Sequence, residues 1–230
     1  MQPAYVVKAA RDYNQPVART IAFFKPCFVL SSFTHEDDAS TESTKRTLSE
    51  FGLPTGVYAA GRLDYDSEGL LILSDDGAFI HKLTDPAHKL PKTYLAQVEG
   101  APTDAMLEPL RRGLTVRIKG SALVTRPCGA RVLPGEPALP AREKPITPHG
   151  ATAWLELILT EGKKRQVRHM TAAVGLPTLR LVRVRIGAIG LDGLTPGAWR
   201  DLTREEVDTI LRNHEASHLS PQRQNRNRRS

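Results

Sequence analysis

Short apolar runs bounded by turn residues recur along the chain, and they predict a fold rich in strands. Val57–Gly61, Leu70–Ser74 and Trp154–Leu159 have the length and the flanking residues of buried strands. Thr93–Val98 and Leu179–Ile186 alternate between apolar and polar positions, which is typical of strands with one buried face. Further extended segments are predicted at Thr20–Leu30, Val116–Ile118 and Ala122–Thr125.

Helices are predicted where apolar residues recur at helical spacing between capping residues. Lys164–Val174 has this pattern and ends at Gly175. Thr203 and Glu206 form a capping-box pair that opens a helix over Arg204–His214. Shorter helices are predicted at Thr44–Phe51, at Gly77–Leu83 and from Thr103 or Asp104 to Gly113. Strands and helices interspersed without a regular βαβ rhythm predict an α+β fold with a mixed, mostly antiparallel sheet.

The chain is expected to form one folded domain with a short segment at either end. Met1–Arg19 shows no sustained period, so 1–19 is interpreted as a flexible N-terminal segment. The domain is expected over 20–215, with a proline-rich irregular insertion at Pro134–Pro148. The stretch 216–230 is basic and is interpreted as a disordered tail.

Composition excludes several classes of protein. Of 230 residues, 40% are hydrophobic and 25% charged, which is an ordinary globular mixture. No apolar run approaches the ~20 residues that span a bilayer, and the N-terminus lacks the apolar region of a secretory signal. Two cysteines make no disulfide framework, and His214 and His218 alone do not hold a metal. We therefore expect a cytoplasmic protein without a membrane contact and without a metal site.

Positive charge is concentrated in two places on a chain of net charge +7. The tail carries four arginines and no acid between Ser220 and Ser230. The segment from Glu161 to Arg185 contains seven Lys and Arg residues and a single acidic residue, Glu161. Because side chains alternate along a strand, Arg183 and Arg185 are expected on one face, opposite Val182, Val184 and Ile186. Two basic clusters favour a polyanionic partner, and nucleic acid above others.

Three segments carry residues suited to chemistry. Gly61–Leu71 places three carboxylates and an arginine between two buried strands. It is open to two interpretations: a structural loop, or a Mg²⁺ site with Asp64 and Asp66, helped by Asp75 and Asp76. Glu161–Arg168 places several basic side chains at the start of a predicted helix, an arrangement that favours phosphate binding. Lys92–Gly100 contributes Tyr94, which alone would count as packing.

These segments together resemble the motifs of a known family, the ribosomal RNA pseudouridine synthases that include the small-subunit synthase A type. The catalytic motif is similar to GRLDYDSEGLLILSDDG, and the tyrosine strand to KTYLAQVEG. The remaining motifs resemble TEGKKRQVRHM with GLPTLRLVRVRIG, TPGAWRDLT, and the opening KPCFVLSSFT. The matches run in family order from about Thr20 to Thr203, so the ordered set is specific although each motif alone is weak.

The resemblance implies the roles of three residues. Asp64 matches the catalytic aspartate, Tyr94 the tyrosine that packs on the target base, and Lys163 the basic residue that pairs with the aspartate. RNA binding is expected from Arg62, Lys164, Arg165, Gln166, Arg168, Arg183 and Arg185. Two departures stand out. His169 replaces a common arginine, and the residues before Thr20 are too few for the S4-type domain that many relatives carry.

The implied reaction is the isomerisation of a uridine to pseudouridine in ribosomal RNA, with large-subunit 23S RNA favoured over 16S RNA as the partner. The C1′–N1 bond breaks, the base turns, and C1′ is joined to C5, which requires no cofactor. The implied fold is a long mixed sheet in two lobes, flanked by helices around a central RNA-binding cleft. We expect a monomer. Two alternatives stay open: a Mg²⁺-dependent nuclease or phosphatase, and a non-catalytic RNA-binding protein of ribosome assembly.

Overall fold

A computed structural model describes residues 18–35, 45–85, 87, 90–118 and 120–218. Most of the predicted N-terminal segment and tail, 1–17 and 219–230, lie outside these ranges. The strands are β1 Thr20–Lys25, β2 Tyr58–Ala59, β3 Glu68–Ser74, β4 Lys92–Glu99, β5 Thr115–Ile118, β6 Ser121–Val124, β7 Gly129–Val132, β8 Thr152–Leu159, β9 Thr178–Ile186, β10 Ile189–Gly190 and β11 Trp199–Asp201. The helices are α1 Gly77–Thr84, α2 Asp104–Arg112, α3 Gln166–Ala173, α4 Arg204–His218 and a 3-10 turn at Leu48–Phe51.

The strands of the described residues form one nine-stranded mixed sheet and a separate hairpin of β5 and β6. The main path of the large sheet is β11-β1-β3-β9-β4-β8-β7, with β10 added to β9 and β2 to β3. Only β3 and β9 pair in parallel, over two residue pairs, and all other neighbours are antiparallel. The predicted α+β class with a mostly antiparallel sheet is confirmed.

The short parallel contact joins two halves of the sheet, and Gly69 makes it possible. Gly69 has φ +105°, and a Cβ there would lie 2.3 Å from the carbonyl oxygen of Arg183. A side chain at this position would therefore push β3 away from β9. The junction directly follows the polar segment that contains Asp64.

Each half of the sheet has its own hydrophobic core. In the second half, β4, β8 and β9 pack against α2 and α3 through residues such as Leu107, Leu110 and Met170. In the first half, Phe79 and Ile210 of α1 and α4 cover one face of the sheet. The opposite face of this half packs against the 3-10 turn. The core is thus divided between the two halves, with one cluster in the second half and one on each face of the first half.

Local capping signals were reliable guides to the helices. Thr203 N donates to Glu206 Oε2 at 2.8 Å, and Glu206 N donates to Thr203 Oγ1 at 3.2 Å, so the predicted capping box is confirmed. Thr103 is the N-cap of α2, and its side chain accepts from Met106 N. α4 continues to His218, beyond the predicted end and into the first residues of the predicted tail. None of the helices within the described ranges is long and apolar enough to cross a membrane.

Some predicted elements are shorter than expected. The strand predicted at Val57–Gly61 reduces to β2, where Tyr58 is 67% exposed and not buried. The helix predicted at Thr44–Phe51 reduces to a single 3-10 turn within its described residues. Helix α3 begins at Gln166 and not at Lys164, because Arg165 adopts a left-handed backbone with φ +53°. Residues 133–151 form no helix or strand, as their prolines predicted.

Candidate active site

A cleft of about 710 Å³ lies between the two halves of the sheet. One wall is the segment Gly61–Ser67, here called the aspartate loop. The other wall is the segment Glu161–Gln166, here called the basic turn. Strands β4 and β9 contribute residues between the walls. The three residues predicted as catalytic all line this cleft: Asp64, Tyr94 and Lys163.

The aspartate loop is held by bonds to the segment after β1. Ser31 Oγ donates to Leu63 O at 2.8 Å and accepts from Leu63 N at 3.0 Å. Phe28 N donates to Tyr65 O at 2.7 Å, and the two rings lie 5.5 Å apart. Ser67 N closes the turn by donating to Asp64 O. The backbone on both sides of Asp64 is therefore fixed, and Asp64 lines the cleft.

Asp66, two residues further on, is occupied by arginines of the other wall. Arg165 donates to both carboxylate oxygens at 2.8 and 2.9 Å. Arg168 Nε lies 3.4 Å from Asp66 Oδ2. Burial raises the pKa of Asp66, but the Arg165 hydrogen bonds and the charges of both arginines outweigh burial and hold the pKa below its ordinary value. A carboxylate paired in this way is a poor ligand for Mg²⁺.

One other predicted metal ligand is also engaged elsewhere. The Asp76 side chain caps α1 by accepting from Ala78 N and Phe79 N. The described ranges contain no group of three or more His, Cys, Asp or Glu residues suited to a metal ion. The geometry of Asp66 and Asp76 thus argues against the Mg²⁺ interpretation.

Gln166 was predicted to bind RNA, but it ties the basic turn together. Its side chain is buried, Oε1 accepts from Lys163 N at 3.0 Å, and Nε2 donates to Glu161 Oε1 at 2.6 Å. Glu161 in turn accepts from Arg126 N. Both ends of the amide are thus used inside the protein, which gives Gln166 a structural role in the basic turn. Because Gln166 also lines the cleft, its contact with RNA stays a prediction.

Lys163 and Lys164 are exposed at the mouth of the cleft, as is Arg62 on the opposite wall. Among the ion pairs within the described part of the chain, none joins Lys163 to Asp64. The charge of Asp64 acts instead on Arg165 and Arg168, on each of which it has a pKa-raising effect. Hydrogen bonds with Asp66 raise the pKa of Arg165, whereas burial lowers that of Arg168.

The prediction that Arg183 and Arg185 share a face is wrong because β9 contains an irregularity. Tyr94 of β4 pairs with Arg183 and Thr93 pairs with Arg185, so the register skips one residue of β9. Consecutive residues of β4 point to opposite faces, and their partners do the same. Arg183 is therefore buried beside Tyr94, with Nε donating to Leu70 O at 2.8 Å. Arg185 is exposed on the other side, where Nη1 donates to Ala188 O.

Tyr94 is 8% exposed and belongs to the core of the second half, yet it also lines the cleft. Its neighbours at this border include Leu63 and Leu181, which line the cleft as well. An aromatic ring fixed at the edge of a core is a suitable surface for stacking a base.

Comparison with known proteins identifies the family. Residues 19–173 match the family model described as RNA pseudouridylate synthase. The chain belongs to the RNA pseudouridylate synthase family. The synthase is 57% identical to ribosomal large subunit pseudouridine synthase E of Xanthomonas axonopodis pv. citri (strain 306). The alignment spans 174 residues, which are 75% of this chain and 87% of that protein.

Other relatives agree with this membership. Ribosomal large subunit pseudouridine synthase E of Vibrio vulnificus (strain CMCP6) is 46% identical over 187 residues, covering 80% of this synthase and 75% of that protein. A solved structure described as a pseudouridylate synthase has a TM-score of 0.68 at 25% identity, and covers 84% of this chain and 74% of its own. The chain is thus an isomerase, and the nuclease, phosphatase and non-catalytic alternatives are set aside.

Sequence reasoning missed two groups of this synthase near the aspartate loop and the cleft. Lys92 is the first residue of β4 and lines the cleft, but the family motif assigned a role only to Tyr94 in this strand. Arg142 comes from the insertion, for which no motif was available. Its Nη2 donates to Cys27 Sγ at 2.7 Å, its Nε lies 3.5 Å from Glu68 Oε1, and its guanidinium stacks on Phe28. The insertion therefore reaches the underside of the aspartate loop, and only the tertiary structure shows this contact.

Proposed function

We propose that this synthase isomerises a specific uridine of large-subunit (23S) ribosomal RNA, with Asp64 as the catalytic carboxylate. One geometric observation carries the proposal: Asp64, on a loop fixed from behind, lines the same cleft as Tyr94, while the neighbouring Asp66 is already paired. The choice of RNA is supported by the two relatives described above, which are named for large-subunit ribosomal RNA.

The reaction needs a target nucleotide outside its helical stack. Breaking the C1′–N1 bond and forming a C1′–C5 bond requires the base to turn, and a stacked, paired base has no room for this. A cleft of about 710 Å³ is within the usual size of a small-molecule site. Tyr94 stacks the extruded base. Asp64 attacks C1′ or assists proton removal at the sugar.

The exposed cations at the mouth of the cleft hold the RNA strand. Arg62 and Lys164 contact phosphates, which provides affinity and orientation but little base specificity. Lys163 moves towards Asp64 when RNA fills the cleft, because its flexible side chain is exposed and lines the same space. Arg165 and Arg168 contribute by holding the two walls together through Asp66.

Ribosomal RNA as substrate implies a cytoplasmic location. We also propose that the active form of the synthase is a monomer. Sedimentation of the purified protein, alone and with RNA, tests the monomeric state. A dimer at working concentration would contradict it.

The experiment that tests the function maps pseudouridines in 23S and 16S RNA from cells with and without the protein. We expect one 23S site to disappear and to return with the wild-type gene. Asp64→Asn should not restore it, whereas Asp75→Asn, an exposed carboxylate outside the cleft, should restore it fully. A lost site in 16S RNA would contradict the substrate, and a restored site with Asp64→Asn would contradict the catalytic role.

A further inference from the structure

Two cations line the cleft beside Tyr94. Lys92 precedes Tyr94 by two residues on β4, and Arg183 pairs directly with Tyr94 on β9. Both line the cleft. Lys92 Nζ can donate three hydrogen bonds, and within the described residues it donates one, to Leu90 O at 3.1 Å. Arg183 Nη2 is buried and has no hydrogen-bond partner within the described part of the protein.

These cations have no acidic partner among the described residues. The ion pairs there include neither Lys92 nor Arg183. Burial, together with the nearby positive charge of Arg183, lowers the pKa of Lys92 to about 8. A largely buried charge without a partner is unfavourable, so its presence in a cleft indicates a ligand that supplies the opposite charge.

Depth separates these two cations from those at the mouth. Arg183 is only 4% exposed and Lys92 is half-buried, whereas Arg62, Lys163 and Lys164 are exposed. An extruded nucleotide enters a pocket with its base foremost, because its phosphates stay in the strand. The exposed cations are therefore positioned to contact phosphates, and the inner cations are positioned to contact the base.

The base becomes negatively charged during the reaction. When the C1′–N1 bond breaks, its electron pair stays with uracil, and the charge spreads over the ring to the carbonyl oxygens. C1′ then bonds to C5, C5 loses its proton and N1 gains one. The base is neutral again after these steps. A fixed N–H donor aimed at a carbonyl oxygen stabilises the anion more than the neutral base, which accelerates bond cleavage.

We propose that Lys92, supported by Arg183, is the uracil-recognition site of this synthase and donates a hydrogen bond to a carbonyl oxygen of the extruded base. Lys92 keeps its protons throughout, and its charge balances the uracil anion. The inference rests on the proposed function, since it requires a uridine in this cleft.

The test compares Lys92→Met, which removes the charge at similar length, with Lys92→Arg, which keeps it. The control is Lys82→Met, an exposed lysine of α1 that does not line the cleft. Single-turnover rates are measured at saturating concentrations of a short RNA that contains the mapped target. Loss of one transition-state donor typically slows an enzyme about 10²–10³-fold. We expect a loss of this order for Lys92→Met, partial recovery for Lys92→Arg, and a wild-type rate for the control.

A second measurement replaces the target with 4-thiouridine or 2-thiouridine, since sulfur is a weaker acceptor than oxygen. We expect one of the two to slow the wild-type enzyme and to leave Lys92→Met unaffected. A wild-type rate for Lys92→Met would overturn the inference. So would a loss confined to RNA affinity with the thio effect retained, because Lys92 would then hold a phosphate. Failure of the proposed function is distinguishable, because wild-type protein would then form no pseudouridine, or would form it outside 23S RNA, whatever the Lys92 variants show.

Discussion

Replacing Asp66 by Asn removes the charge that joins the two walls of the cleft but keeps the shape of the side chain. Asp66 accepts two hydrogen bonds from Arg165, at 2.8 and 2.9 Å, and lies 3.4 Å from Arg168 Nε. The side chains of Asp66 and Arg165 are 29% and 41% exposed, so water screens part of their attraction. Arg168 is only 12% exposed and is screened less.

The expected loss of stability follows from these exposures. A fully exposed ion pair contributes about 0–1 kcal/mol, and a hydrogen bond to a charged group about 1.5–3 kcal/mol. We expect Asp66→Asn to lower the free energy of unfolding by about 2 kcal/mol, between these limits. In a double-mutant cycle, we expect Asp66→Asn and Arg165→Gln to show a coupling of about 1 kcal/mol.

Urea denaturation of the two single variants and the double variant measures this coupling. Because the pKa of Asp66 is depressed in the folded protein, its contribution is present above the unfolded pKa of about 3.9 and is lost as pH falls through the lower folded value. The difference between wild type and Asp66→Asn should therefore shrink below about pH 4. Pseudouridine formation should also slow, because the walls that carry Asp64 and Lys163 are no longer joined.

Three results would refute this reasoning. A coupling below about 0.3 kcal/mol would show that the pair does not hold the walls. Unchanged stability with weaker RNA binding in Arg165→Gln would return Arg165 to the predicted role of a phosphate ligand. Recovery of Asp66→Asn by excess Mg²⁺ would support the metal site instead.

Substitutions at three further positions test other parts of the structure. Gly69→Ala places a methyl group 2.3 Å from the Arg183 carbonyl oxygen, and we expect a loss of more than about 3 kcal/mol or failure to fold, measured by thermal denaturation. Tyr94→Phe should keep base stacking and most activity, whereas Tyr94→Ala should lose activity; equal inactivity of both, with RNA still bound, would assign the essential role to the hydroxyl group. Arg142→Ala leaves Glu68 with Arg180 alone, and we expect a loss of about 2 kcal/mol with only partial recovery in Arg142→Lys, checked by urea denaturation.

The sequence by itself determined the local elements and the position of the chemistry. Apolar alternation and capping residues predicted the larger strands and helices, because both signals depend on neighbours in the chain. Three polar segments that resemble family motifs pointed to Asp64, Tyr94 and Lys163, and all three line one cleft. These predictions needed no knowledge of distant contacts.

Tertiary structure decided where the cations lie and which of them have internal partners. Arg165 was predicted from its charge to bind RNA, but its partner Asp66 lies 99 residues away in sequence. Strict alternation placed Arg183 with Arg185, but the skipped residue in β9 turned Arg183 into the cleft and Arg185 away from it. Pairing register and long-range ion pairs depend on how two halves of the chain meet, and no local pattern records that meeting.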